Sequence, residues 1–173
     1  MAELIWFFGA SGSGKATLIR KVKSKEFVLP DITDSIKICE ESLQFERHQR
    51  RTCLLSVLRK YALKDKSILI KGQGIDLSEL HLPYVLCEQV PSLRQKVVFV
   101  HTEPRVLPER TAKRRDAYWP NPAHDFIEET IYQIMATGAL CEFLDITPLV
   151  VNNSAPEPLF QPNVALNSLL PGV

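Results

Sequence analysis

The stretch FFGASGSGKATL, Phe7 to Leu18, restricts what this chain can become more than any other part of it. Inside it, GASGSGK (Gly9 to Lys15) has the form G-x-x-x-x-G-K, directly after the apolar run Leu4–Phe8 and directly before a segment free of helix breakers. An apolar run that short reads as a buried strand, so the pattern predicts strand, glycine loop and helix in succession. In such a unit the glycines let successive backbone N–H groups turn inward. The helix N-terminus adds partial positive charge, and the lysine ammonium reaches an outer phosphate. Gly9, Ala10, Ser11, Gly12, Ser13, Gly14, Lys15, Ala16 and Thr17 are therefore the candidate phosphate contacts. Among them Gly12 and Gly14 permit close approach, Ser11 and Ser13 offer hydroxyls, and Lys15 is the mobile cation.

The residue after the lysine is the unusual one. Most loops of this form place a serine or threonine there to ligate magnesium. Ala16 cannot do so; Thr17, one residue on, carries a hydroxyl and is the candidate metal contact, directly or through water.

Elsewhere, short apolar runs alternate with longer helical stretches, the pattern of an α/β fold around a largely parallel sheet. The predicted strands are Leu4–Phe8, Phe27–Leu29, Ile68–Ile70, Val97–Val100 and Leu149–Val151. Predicted helices run from Lys15 to Ser24, over Ile36 to Leu63 (one helix or a broken pair), and from Pro104 to about Arg115. A further amphipathic helix is marked by Ile127, Ile131, Ile134 and Met135. In the second half of the Ile36 stretch, Leu54, Leu58, Tyr61 and Ala62 form a core-facing stripe. The segment YWPNP, Tyr118 to Pro122, ends the Pro104 helix, because two prolines cannot continue one. The tail from about 152 to 163, NNSAPEPLFQPN, reads as an extended connection.

At 173 residues the chain fits a single domain spanning 1–173. With 21 basic and 20 acidic residues it has no global field to draw it onto nucleic acid or an anionic membrane, and no apolar run approaches a membrane span. Cys39, Cys53, Cys87 and Cys141 are scattered without a C-x-x-C pair, which predicts reduced thiols and a cytoplasmic protein. The four histidines form no metal or triad pattern.

GASGSGKAT resembles the nucleoside monophosphate kinase group of the P-loop kinases, whose adenylate and cytidylate members read G-x-x-G-x-G-K-G-T. Here alanine replaces one glycine, and Thr17 falls on the family's threonine. The opening LIWFFGASGSGK is also similar to ribose bisphosphate phosphokinases and guanylate kinases. The resemblance implies a three-layer P-loop NTPase fold, with a five-stranded, mostly parallel sheet flanked by helices. It also implies a short lid at about 115–123, ATP as donor, Mg2+ and a small acceptor.

Carried over by region, the resemblance assigns Arg110 and Arg114, four apart after the fourth predicted strand, to the transferring phosphates; a solvated face paired by Glu109 and Asp116 is the alternative. Asp34 is a candidate catalytic base and Asp31 an acceptor-side acid, though Asp34 would equally cap a helix. Arg47 would clamp an acceptor phosphate or belong to a solvated helix, and Gln73 would face the acceptor. Asn152 and Asn153 would lie beside adenine or form a hydrophilic turn. One departure stands out: Lys71 follows the third predicted strand, and Asp76 only after a turn, where many P-loop NTPases keep an aspartate that orders magnesium's shell.

Two functions compete. The first is an ATP-dependent phosphotransferase acting on a nucleoside, nucleotide or sugar phosphate, as monomer or homodimer. The second is a nucleotide-binding regulatory or interaction protein with weak or no turnover. A kinase of nucleic-acid ends, using Arg47–Arg51 and Lys113–Arg115, is less favoured by the neutral charge balance.

Overall fold

In the computed structural model, residues 3–30, 56, 60, 68–72, 82–113 and 124–172 are described. Five strands, β1 (Glu3–Phe8), β2 (Ile68–Lys71), β3 (Arg94–His101), β4 (Leu149–Asn152) and β5 (Leu159–Gln161), form one sheet in the order β2-β1-β3-β4-β5. The first four are mutually parallel, and β5 runs antiparallel to β4 at the edge. Among the described residues, the helices α1 (Lys15–Lys23), α2 (Leu82–Gln89), α3 (Leu107–Ala112) and α4 (Phe126–Phe143) accompany them.

Strand β1 is paired on both sides and covered on both faces, so all six of its residues are buried. Leu4, Trp6 and Phe8 join Val97, Phe99 and Val150 beneath Leu82 and Leu86 of α2 and Ile134 and Leu140 of α4. Ile5 and Phe7 point the other way, to Val98, Val100 and Val151 beneath Leu18 and Ile19 of α1. The alternation produces three layers. Each fully buried side chain of this size contributes about 1.5–3 kcal/mol, making β1 the hydrophobic centre of the molecule. Trp6 also closes a polar contact: its Nε1–H donates to Gln95 Oε1 (2.8 Å), and Gln95 Nε2 donates to Pro83 O (2.9 Å), tying α2 to the sheet.

Three expectations are corrected. Phe27–Leu29 is not a strand. Its approach is taken up by the end of α1, where Ser24 N–H donates to Arg20 O, Lys25 adopts φ +62°, and Phe27 N–H donates to Lys21 O. Leu29 is buried by packing on the α1 face, without a ladder. The fifth strand comes instead from the proline-rich tail, where Pro156, Pro158 and Pro162 flank Leu159–Gln161. An edge strand tolerates such neighbours because half its backbone needs no ladder partner.

Second, Pro104 opens a 3-10 turn, Pro104–Val106, and α3 starts only at Leu107. Pro108 has no N–H to return to Pro104 O, so an α-turn cannot close there. Third, the buried face of α4 is not the predicted stripe. Ile134 is buried, but Ile127 and Met135 are 54% and 65% exposed, and Glu129, Thr130, Gln133 and Thr137 are buried instead. Of the span 36–63, Ser56 and Lys60 are described, and both are helical.

Candidate active site

The turn at the carboxyl end of β1 is shaped by its glycines. Gly9, Gly12 and Gly14 have φ of +138°, +82° and +91°. A Cβ on Gly9 would lie 2.3 Å from Val100 O of β3, so the loop leaves the sheet where only glycine fits. Gly14 is the N-cap of α1 and brings no side chain to close the helix mouth, while Ala16 and Thr17 of the first turn are exposed. Backbone donors and the positive end of the helix dipole are thus presented to solvent at one place.

Lys15 folds back across this turn. Its ammonium donates to Gly9 O (2.5 Å) and Ala10 O (2.8 Å) and lies 3.5 Å from Ser13 Oγ. Ser13 itself is wholly buried, and its carbonyl accepts from Thr102 Oγ1 (3.1 Å) and Asn153 Nδ2 (2.7 Å). The ends of β3 and β4 therefore clamp the loop from below, reinforced by Asn153 N–H donating to His101 O (2.8 Å).

The loop after β4 is folded by its own side chains. Asn152 Oδ1 accepts from Ser154 N–H (2.9 Å), and Ser154 Oγ accepts from Glu103 N–H (3.0 Å). Arg110, on α3, donates to Ser154 O (3.3 Å), Ala155 O (3.5 Å) and Thr102 Oγ1 (3.5 Å). Asn153 thus lies against the Gly9–Gly14 turn, and Arg110 is held against the post-β4 turn that Asn152 folds. Thr17 Oγ1 accepts from Arg20 Nη2 (3.3 Å) on the exposed side of α1.

Arg114, Asp31, Asp34, Arg47 and Gln73 lie outside the described residues, as do the 115–123 segment, Cys39, Cys53, His48 and His81. Among the described residues, no cluster of three or more His, Cys, Asp or Glu could hold a metal, and no helix is long and apolar enough to cross a membrane.

Two contributors were not legible from the sequence. Thr102, the first residue past β3, sits between Ser13, Asn153 and Arg110. Glu129, on the buried face of α4, accepts from Ser11 N–H at 2.8 Å through Oε1, while Oε2 meets His124 Nε2 at 2.7 Å. The one sequence cue was the order D-x-x-E-E at the start of α4, where Asp125 caps the helix by accepting from Ile127 and Glu128 N–H. Nearby, desolvation holds the pKa of buried His101 below the ordinary histidine value, opposed by the charge of Glu103.

No family model and no curated protein matches the sequence. Solved structures do. Deoxyadenosine kinase from M. mycoides with bound dATP aligns at TM-score 0.50 and 14% identity, over 87% of this chain and 91% of that one. The same enzyme with products dCMP and a flexible dCDP aligns at TM-score 0.52 and 13% identity, over 96% and 94%. Shikimate kinase from Bacteroides thetaiotaomicron aligns at TM-score 0.49 and 16% identity, over 96% and 93%. Strand order, the glycine turn at the carboxyl end of β1 and the deoxyadenosine kinase alignments agree: the chain has the fold of the P-loop kinases.

Proposed function

We propose that the chain is an ATP-dependent phosphotransferase that moves the γ-phosphate to a small acceptor, a nucleoside, nucleotide or sugar phosphate. The observation that carries this reading is the Lys15 ammonium laid across the Gly9–Gly14 turn at the uncapped mouth of α1. A polyphosphate entering there would meet the N-terminal end of the α1 dipole and the Lys15 cation, whose attraction is strongest for the most highly charged anion.

In the transfer, the acceptor hydroxyl oxygen bonds to the γ-phosphorus as the bond from that phosphorus to the β–γ bridging oxygen breaks, and ADP leaves. The acceptor proton passes to a carboxylate, for which Asp34 is our candidate. Lys15, Arg110 and Arg114 offset the charge spread over the transferring oxygens. Arg110, anchored to the turn after β4, also orients that turn beside the donor, where Asn152 and Asn153 would face the base. Asp31, Arg47 and Gln73 are assigned to the acceptor.

A magnesium ion, when bound, would neutralise β- and γ-oxygens. Among the described residues no carboxylate cage lies at this loop, so an exposed hydroxyl such as that of Thr17 would leave the ion to phosphates and water, as magnesium prefers. Lys71 at the end of β2 favours a second reading, a nucleotide-binding regulator with little turnover.

Two experiments separate the possibilities. Lys15→Ala should abolish phosphoryl transfer with circular dichroism unchanged, and retained turnover in that variant refutes the mechanism. An ADP-release screen over nucleosides, monophosphates and sugar phosphates, run beside Mg·ATP calorimetry, distinguishes the regulator, which would bind tightly and release nothing.

A further inference from the structure

Helix α4 makes an unfavourable choice. It leaves Ile127 and Met135 mostly in water and buries Glu129, whose side chain is only 7% exposed. Burying a carboxylate costs several kcal/mol unless both oxygens find partners. Here both do, and one of them is the backbone of the phosphate loop, 118 residues away in the chain.

The bonded groups belong to one peptide plane. The Ala10 carbonyl accepts from Lys15 Nζ at 2.8 Å and from Ser13 N–H at 3.1 Å, and the N–H of the same peptide unit, on Ser11, donates to Glu129 Oε1 at 2.8 Å. Because a peptide is planar, holding its N–H toward α4 directs its carbonyl toward Lys15. A carboxylate on the N–H also polarises the unit and strengthens the carbonyl as an acceptor. Were this peptide to rotate, Lys15 would lose one of the two carbonyls that locate it.

We propose that Glu129 is a positioning residue for Lys15, acting through the Ala10–Ser11 peptide, with His124 fixing the second carboxylate oxygen. Its effect on function rests on the nucleotide-binding reading above; its effect on the loop does not. The carboxylate does its work without touching nucleotide or acceptor, so the first consequence of removing it is a misplaced lysine.

The test uses the full chain with Glu129→Ala, Glu129→Asp and Glu129→Gln. Nucleotide-free, the Ser11 amide of the wild type should exchange slowly and resonate downfield in a 15N-resolved spectrum. Both features should vanish in E129A and in E129D, whose carboxylate is one methylene short. E129Q should recover them, since its amide oxygen accepts from Ser11 while its NH2 donates to His124. With Mg·ATP as titrant, E129A and E129D should bind about 10-fold more weakly, about 1.4 kcal/mol, and E129Q should regain most of that loss. In turnover, kcat should fall further than KM for the acceptor rises. If E129A does not fold, E129D against E129Q decides. Wild type that fails to bind Mg·ATP sinks the functional reading and leaves the Ser11 amide to judge Glu129. Wild-type affinity in E129D, or an unchanged Ser11 amide, overturns this proposal.

Discussion

Replacing Gly14 by alanine would put a methyl carbon 2.3 Å from Asn153 Nδ2, the group that donates to Ser13 O at 2.7 Å. Two costs follow. Holding a non-glycine residue at φ +91° costs about 1–2 kcal/mol. Pushing Asn153 away removes one hydrogen bond, about 0.5–1.5 kcal/mol. No orphan penalty is added, because Ser13 O keeps Thr102 Oγ1 at 3.1 Å. The expected loss is thus about 1.5–3.5 kcal/mol, or about 3–14 °C in Tm for a chain of this size. The two parts can be separated. Asn153→Ala alone should cost about 0.5–1.5 kcal/mol, and in its background Gly14→Ala should cost only the dihedral strain, about 1–2 kcal/mol. The double variant should therefore be about 0.5–1.5 kcal/mol more stable than the sum of the singles. Urea unfolding of the four proteins measures the cycle. Strict additivity, or a Gly14→Ala cost below about 0.5 kcal/mol, would refute the claim that Asn153 lies against the helix mouth.

Other perturbations probe the surrounding structure. Because burial lowers the His101 pKa from 6.5, the unfolded chain binds more protons than the native one just below that value. Stability from this group is complete above pH 6.5 and lost as pH falls toward the lowered value, so His101→Asn should flatten the pH 7 to pH 5 unfolding profile; an unchanged slope counts against it. Burial pushes the Cys141 thiol up to about 12, whereas Cys87 is exposed. Iodoacetamide at pH 8 should mark Cys87 and spare Cys141 in peptide mapping of native protein, and equal labelling contradicts this. Asp125 caps two N–H groups of α4, so Asp125→Ala should lower unfolding free energy by about 0.5–2 kcal/mol; no change in the urea midpoint would show that the cap contributes nothing.

Much of the architecture was readable from local pattern. An apolar run, a glycine turn and a lysine within residues 4–15 place β1, the loop and α1, since each needs only its neighbours in sequence to be recognised. Strands β2, β3 and β4 were legible for the same reason, as short runs with both faces covered. The loop of the candidate site was legible too; its supports were not. Thr102 and Glu129 are an ordinary threonine and an ordinary helical acid until the chain brings them to Ser13 and Ser11, 89 and 118 residues away.

Where the reading went astray, a distant partner decided the outcome. Phe27–Leu29 has the composition of a strand, but its first N–H is claimed by the end of α1, while Leu159–Gln161 lies among prolines and is a strand because β4 offers it an open edge. Periodicity assigned Ile127 and Met135 to the inner face of α4. Contact between Glu129 and Ser11 of the glycine turn accompanies a different rotation, and composition along a helix cannot disclose which face a remote hydrogen bond will claim. What the sequence alone determined was therefore the course of the loop and the class of sheet that carries it, both written in contiguous residues. Tertiary structure alone decided the edge strand, the turn of α4 and the side chains bonded to the loop that carries Lys15, because these depend on partners that only folding brings within hydrogen-bonding distance.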